Sequence, residues 1–409
     1  MKIGILTYHC VTNFGAQLQT LSTIGYMKKR GHEPVVLNWF PQDLEDFYRR
    51  ECPKEQYEEQ FNFAQQSMPV SNLCRTLDDL NTEIDRLQLD AIFIGSDALF
   101  DYKPIESRYS FSLRKFKRIP PNSKVASNHD LPNPFWGCFA DYIKNEIPFC
   151  GFSISSQNMP YYKLNVAEKN EMNRLLNRFT RITVRDNWTK KMVEYVSGRN
   201  DVKITPDPVF AFNNNTDFLI AKEDLLAKYN LPNNYILISF CKDILTDDFV
   251  NEVIREIESK TDSFCVSFPM PRKLKKYSTL NYIDLPLPTL DWYYLIKYSQ
   301  GYIGELMHPI IVCLHNSIPF FCFDQYGTYK TIIPRLWSKF IPESSKIYDI
   351  LEKANFKNQM CPYLYANKMT PTEVVQRFCD FDKLKCKRFA ESQYLRYIDG
   401  MDIVLSSLE

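Results

Sequence analysis

Five short blocks set polar or charged residues where apolar runs end, and each could support chemistry. In open parallel sheets, ligands bind at the carboxyl ends of strands, on the loops that lead into helices. Thr12-Asn13-Phe14-Gly15-Ala16-Gln17 follows the first apolar run. A small residue flanked by amides lets a ligand approach a helix N-terminus, whose free N–H groups favour anions. The same residues also make an ordinary cap on Thr12 or Asn13. Gly95-Ser96-Asp97 offers a hydroxyl, a carboxylate and backbone donors, or simply a turn. Arg185 closes the apolar run Ile182-Thr183-Val184. Its fork suits a carboxylate or phosphate, and equally an ion pair with Asp186 or Asp207. His308 precedes Pro309, a residue favoured at the first helical position, so it reads as the cap of a helix running to His315. There an imidazole could act as acid or base beside an anion, or be structural; His315 is expected to pack. Arg272-Lys273-Leu274-Lys275-Lys276-Tyr277 is the densest basic run. It suits a phosphate-bearing or anionic-membrane partner, or a solvated loop.

The elements that would carry these blocks alternate in type. Strands are expected at Lys2–Tyr8, Pro34–Trp39, Leu89–Ile94, Pro148–Ile154 and Ile182–Arg185. Helices are expected between them, the first over Ala16–Lys29 with Leu18, Leu21, Ile24 and Met27 on one face. After Thr205-Pro206-Asp207-Pro208 the alternation resumes, with strands at Tyr235–Cys241, Ser263–Phe268, Gly301–Gly304 and Pro319–Asp324. Such alternation argues for an α/β fold of two Rossmann-like domains, 1–210 and 211–345, facing a cleft. A charged helical tail, 346–409, is expected to pack across them. The polar, aromatic stretch 41–71 reads as an insertion or lid.

Bulk chemistry narrows the function classes. In 409 residues, 50 Lys+Arg balance 49 Asp+Glu, which disfavours a polybasic nucleic-acid binder. No G-x-G-x-x-G or P-loop occurs, which disfavours ordinary dinucleotide or nucleoside-triphosphate binding. The twelve cysteines include no C-x-x-C and no zinc-like spacing, so reduced buried thiols and no metal are expected. No apolar run approaches the roughly 18 residues of a membrane span, and a cytoplasmic protein is expected. Only 12 glycines are present, so those at Gly15, Gly95 and Gly304 stand out as crest positions.

Taken in order, these blocks resemble the polysaccharide pyruvyl transferase family. That family's N-[YF]-G-A-x-L-Q loop is matched by Asn13-Phe14-Gly15-Ala16-Gln17-Leu18-Gln19. Its G-S-D strand end, V-R-[DE] segment and D-P segment are matched by Gly95-Ser96-Asp97, Val184-Arg185-Asp186 and Asp207-Pro208. Its late D-[SR]-[FL]-H-G block corresponds to Glu305-Leu306-Met307-His308-Pro309, followed by the proline-led strand Pro319-Phe320-Phe321. The chain departs there: Glu305 replaces Asp, Leu306 stands at the Ser/Arg position and Pro309 replaces Gly. If relatives contact the donor through that Ser or Arg, this chain has lost or replaced the contact.

The resemblance implies a glycosyltransferase-B-like fold. It implies transfer of pyruvyl from phosphoenolpyruvate to two hydroxyls of a sugar in a cell-surface or capsular polysaccharide precursor, forming a ketal. No cofactor or metal is implied beyond phosphoenolpyruvate as co-substrate. Arg185 is expected to hold the donor's carboxylate or phosphate, and His308 to do acid/base work. Asn13, Gly15, Gln17 and Glu305 are expected on the donor side, with Lys330 and Arg335 as further cations. Ser96 and Asp97 are expected on the acceptor side. The expected partners are phosphoenolpyruvate and a glycan precursor, lipid-linked at the inner membrane face, with no nucleic acid. Peripheral membrane contact and self-association are left open. The alternatives are a nucleotide-sugar glycosyltransferase of the same fold and a non-catalytic family member.

Overall fold

The computed structural model describes residues 1–108, 110–112, 117–119, 127–240, 245–277, 281–329 and 339–409. The N-terminal strands are β1 (Lys2–Leu6), β2 (Glu33–Trp39), β3 (Val70–Cys74) and β4 (Ala91–Asp97). A small antiparallel hairpin of β5 (Ser110–Ser112) and β6 (Lys117–Ile119) follows, then β7 (Phe149–Ile154), β8 (Arg181–Val184) and β9 (Lys203–Ile204). Apart from the hairpin these form one parallel sheet, ordered β3-β2-β1-β4-β7-β8-β9. The near-continuous apolar runs of β1, β4 and β7 suit strands covered on both faces. Strand order reverses between β1 and β4, which opens a crevice at their carboxyl ends.

The second sheet repeats the plan. Its strands are β10 (Tyr235–Ser239), β11 (Phe264–Ser267), β12 (Asn281–Tyr282), β13 (Gly301–Gly304) and β14 (Phe320–Asp324). A short hairpin of β15 (Thr328–Tyr329) and β16 (Lys339–Phe340) precedes the last strand, β17 (Met360–Pro362). The parallel order is β12-β11-β10-β13-β14-β17, with the reversal between β10 and β13. The second domain therefore runs past residue 345: Met360–Pro362 is its edge strand, not tail. The apolar run that makes this strand is too short to stand out in sequence. The last helix, Lys383–Ser406, crosses between domains, and the helix Lys346–Lys353 also reaches the first domain, where Asn187 donates to Asp349 (2.8 Å). In the last helix, Asp402 accepts a hydrogen bond from Tyr26 (2.5 Å), and Tyr397 packs edge-on against Phe152 (5.7 Å).

The first helix, Phe14–Lys29, begins two residues earlier than its apolar stripe indicates. It is buried nearly all round, because the second domain covers the face that a lone domain would give to water. Its polar residues are consequently paired inside. Ser22 donates to the Pro208 carbonyl (2.7 Å) and Gln19 to Asp207 (2.5 Å). Phe14 stacks on Trp292 of the second domain, with ring centroids 5.0 Å apart.

The 41–71 stretch is a strap. Helices Gln42–Glu51 and Lys54–Ser67 lie against the second domain. The Gln56 amide donates to the Leu287 carbonyl (3.0 Å) and accepts from the Leu287 N–H (2.6 Å). Cys52 donates to the Pro271 carbonyl (2.9 Å). The basic run docks here: Arg272 stacks over Phe47 and Tyr48, at 5.0 and 5.1 Å. Lys275 and Lys276 pair with Asp247 and Asp284. The described cysteines are free thiols, all buried except Cys379. Among the described residues no helix is long and apolar enough to cross a membrane.

Candidate active site at the domain interface

The carboxyl ends of β4, β8 and β13 converge on the seam between domains. Gly95 adopts φ +137°, and an added Cβ would sit 2.1 Å from the Phe152 carbonyl oxygen, so only glycine fits there. Asp97 follows at φ +112°, a backbone state that non-glycine residues hold only when their surroundings fix it. Its main chain is fixed by Ser155 and Leu99, whose N–H groups donate to the Asp97 carbonyl at 2.8 and 2.9 Å. Ser96 is buried between, and its hydroxyl donates to the Ser153 carbonyl (2.9 Å). It therefore ties the sheet together and does not face an acceptor.

Arg185 emerges from β8 almost wholly buried, its side chain 4% exposed. Its Nη1 donates to Asp207 (2.7 Å), and Asp97 lies 3.8 Å from Nη2. The ion pair foreseen with Asp207 is therefore present, yet it uses only one corner of the fork. Nε and Nη2 have no hydrogen-bond partner among the described residues. They share one edge of the guanidinium, the edge that takes a carboxylate side-on with two parallel bonds. Burial works against its charge, but Asp207, Asp97 and Asp186 outweigh it and raise the pKa above the ordinary value. Asp207 is the anchor of this cluster: it also accepts from Gln19 and from the Val209 N–H (3.0 Å).

His308 comes from the facing domain. The helix spans Met307–Asn316 with Leu306 at the cap position, so His308 is its second residue and Pro309 its third. Proline is tolerated there because first-turn N–H groups have no intrahelical partner. The imidazole lies on Gly15: a Cβ at Gly15 would fall 2.0 Å from the ring's Cγ. Gly15 is thus a cradle for the histidine across the seam, which its sequence block does not reveal. His308 Nε2 is shielded from water and has no hydrogen-bond partner among the described residues. Burial lowers its pKa, Asp97 and Asp207 act to raise it, and Arg185 and Lys346 lower it further. The net direction is down, which keeps the ring neutral near pH 7. His315 packs edge-on against Phe210 and is pushed down to about 3 by burial.

The other expected residues divide. Asn13 caps the first helix, accepting from the Gly15 N–H (3.1 Å). Gln17 donates to the Gln60 carbonyl (2.6 Å) and accepts from Thr289, so its amide is an interdomain tie with little left for a donor. Glu305 is buried directly after β13, close enough for its charge to be felt by Tyr302 and Cys322. Lys330 and Arg335 lie outside the described residues.

Two residues escaped the sequence reading. Asp324 ends buried β14 as Asp97 ends β4, and that shared position was the available signal. It accepts from Ser345 and from the Tyr326 N–H (2.8 Å), and burial pushes it up to about 6. Lys346 starts the helix Lys346–Lys353, which Ser345 caps. It shares an interdomain crevice with Arg185, Asp207, Met307, Lys353 and Arg396. Among the described residues no cluster of His, Cys, Asp and Glu could hold a metal ion.

The architecture matches solved structures at low identity. UDP-GlcNAc 2-epimerase from Neisseria meningitidis is 10% identical, with a TM-score of 0.55 over 100% of this chain and 99% of that one. The S. aureus MnaA–UDP structure is 12% identical, with a TM-score of 0.53 over 99% and 95%. Spinosyn forosaminyltransferase SpnP is 11% identical, with a TM-score of 0.51 over 100% of both chains. These likenesses establish a GT-B fold with two parallel-sheet domains and a helical C-terminal region. No curated protein matches the chain in sequence. The model of the polysaccharide pyruvyl transferase family matches residues 13–325, which span Gly15, Asp97, Arg185, Asp207 and His308. The chain belongs to the polysaccharide pyruvyl transferase family.

Proposed function

We propose that the protein transfers a pyruvyl group from phosphoenolpyruvate to two hydroxyls of one sugar in a cell-surface glycan precursor. The observation that carries this reading is a shielded His308 whose ionisation feels the charge of buried Arg185, where no hydrogen bond from a described residue occupies the Nε–Nη2 edge. That edge suits the donor's planar carboxylate. Protonation of the donor's methylene carbon makes C2 electrophilic, one sugar hydroxyl attacks it, and the C2–O bond to phosphate breaks. The second hydroxyl then closes the ketal. One proton enters at the methylene and two leave the hydroxyls, so one remains for the departing phosphate. A neutral imidazole is suited to accept a hydroxyl proton, so His308 serves as the base in this scheme. Asp97, held at the end of β4, is placed to orient the acceptor.

The test supplies lipid-linked glycan intermediates and phosphoenolpyruvate, and reads phosphate release together with product mass. Acceptor-dependent phosphate and a pyruvyl increment on one sugar are expected, and both should vanish in a folded His308→Ala variant. A glycosyl increment from a UDP-sugar, with no use of phosphoenolpyruvate, would replace the reading by a nucleotide-sugar glycosyltransferase.

A further inference from the structure

The heart of the site has a charge problem. Asp97 and Asp207 set two carboxylates against the single guanidinium of Arg185, and His308 adds no positive charge while neutral. A donor carrying both a phosphate and a carboxylate would meet net repulsion unless another cation completes the site. Leu306, two residues before His308, is apolar and supplies none.

Three other cations line the same crevice. Lys353 is spent on Asp349, and Arg396 donates to the Ile204 carbonyl (3.2 Å). Lys346 makes no ion pair or hydrogen bond with any described residue; its ammonium rests over the Tyr326 ring, 4.5 Å from the centroid. It is also the first residue of a helix, whose Tyr348 N–H is taken by the Ser345 cap (3.1 Å). Asp349, the acid of that first turn, is neutralised by Lys353 and held by Asn187 (2.8 Å). Asp324 pins this helix start to the carboxyl edge of the second sheet through Ser345. Arg185 lines the same crevice, its Nε–Nη2 edge buried and without a hydrogen-bond partner among the described residues, with Asp97 3.8 Å from Nη2.

We propose that Lys346 binds the phosphate of the donor. Arg185 then takes the carboxylate, since a planar fork suits a planar anion and a point charge suits phosphate. The assignment of phosphoenolpyruvate as donor rests on the function proposed above. The phosphate contact does not, because inorganic phosphate tests it alone.

The experiment titrates inorganic phosphate and phosphoenolpyruvate calorimetrically into the wild type, Lys346→Met and Lys346→Arg, with thermal melts to check folding. Methionine should weaken both ligands at least about tenfold, and arginine should restore affinity to within about threefold. In turnover, the methionine variant should raise KM more than it lowers kcat. It should also move the acid limb of the rate profile upward, because the charge that depresses His308 is gone. Lys346-dependent phosphate binding without any phosphoenolpyruvate binding would support the cation while ending the donor assignment. Unchanged phosphate affinity in Lys346→Met, or no phosphate binding by the wild type, would overturn the proposal.

Discussion

In the proposed reaction His308 starts without a proton, and its neighbours decide how far that holds as pH falls. Burial sets its folded pKa below the ordinary 6.5, with Asp97, Asp207, Arg185 and Lys346 as the charges around it. The neutral form therefore persists below pH 6.5, and the acid limb of kcat/KM is expected there; a limb at or above 6.5 would remove His308 as the base. Gly15 controls the same ring sterically. Gly15→Ala adds a methyl into the imidazole while favouring the helix. Its kcat/KM should fall by about 100-fold, since small misplacements of a reacting group are that costly, and the melting temperature should fall as well because the buried ring has to shift. Asp324 has the opposite shift. Its folded pKa, about 6, lies above the unfolded 3.8, so its protonated form adds stability that is full below pH 3.8 and lost as pH rises through 6. Two pH units correspond to roughly 3 kcal/mol. Denaturant melts should show Asp324→Asn gaining on the wild type by up to about that much between pH 4 and 7.

At the level of elements, the strap carries the most testable energetics. Gln56 meets both the N–H and the C=O of Leu287, all buried. Gln56→Ala leaves both backbone groups without a partner, and a loss of roughly 2–4 kcal/mol is expected in denaturant unfolding. A loss under 0.5 kcal/mol would show that the strap does not hold the domains. Why some elements were legible and others not follows from what their residues pack against. β1, β4, β10 and β14 announce themselves because strands covered on both faces are apolar throughout. The strap does not, because its polar residues are satisfied by a domain more than 200 residues away in sequence. Ser96 and Gln17 show a related difficulty: a polar side chain near a strand end or helix start looks free until its buried partner is known. Arg185 and His308 were visible because each sits where an apolar run stops, and a buried strand end or helix start has few other uses for such a group. Lys346 was not, since it follows no such run and owes its position to Ser345 and Asp324.

The whole molecule joins its halves with contacts that include the strap, the first helix sunk between domains, and the last helix crossing over them. The two-domain plan was readable from the repeated alternation of strand and helix. The true end of the second domain was not, because β17 is only three residues long. The proposed reaction would depend on domain position, since Gly15 and Arg185 belong to one half and His308 to the other. The Phe14–Trp292 stack gains a practical meaning from this. Trp292 is 3% exposed and lies on the same seam, so its indole is an optical gauge built into the interface. An opening at this seam that wets the indole should red-shift its emission, and Trp292→Phe, which keeps the other four tryptophans, should lack that shift.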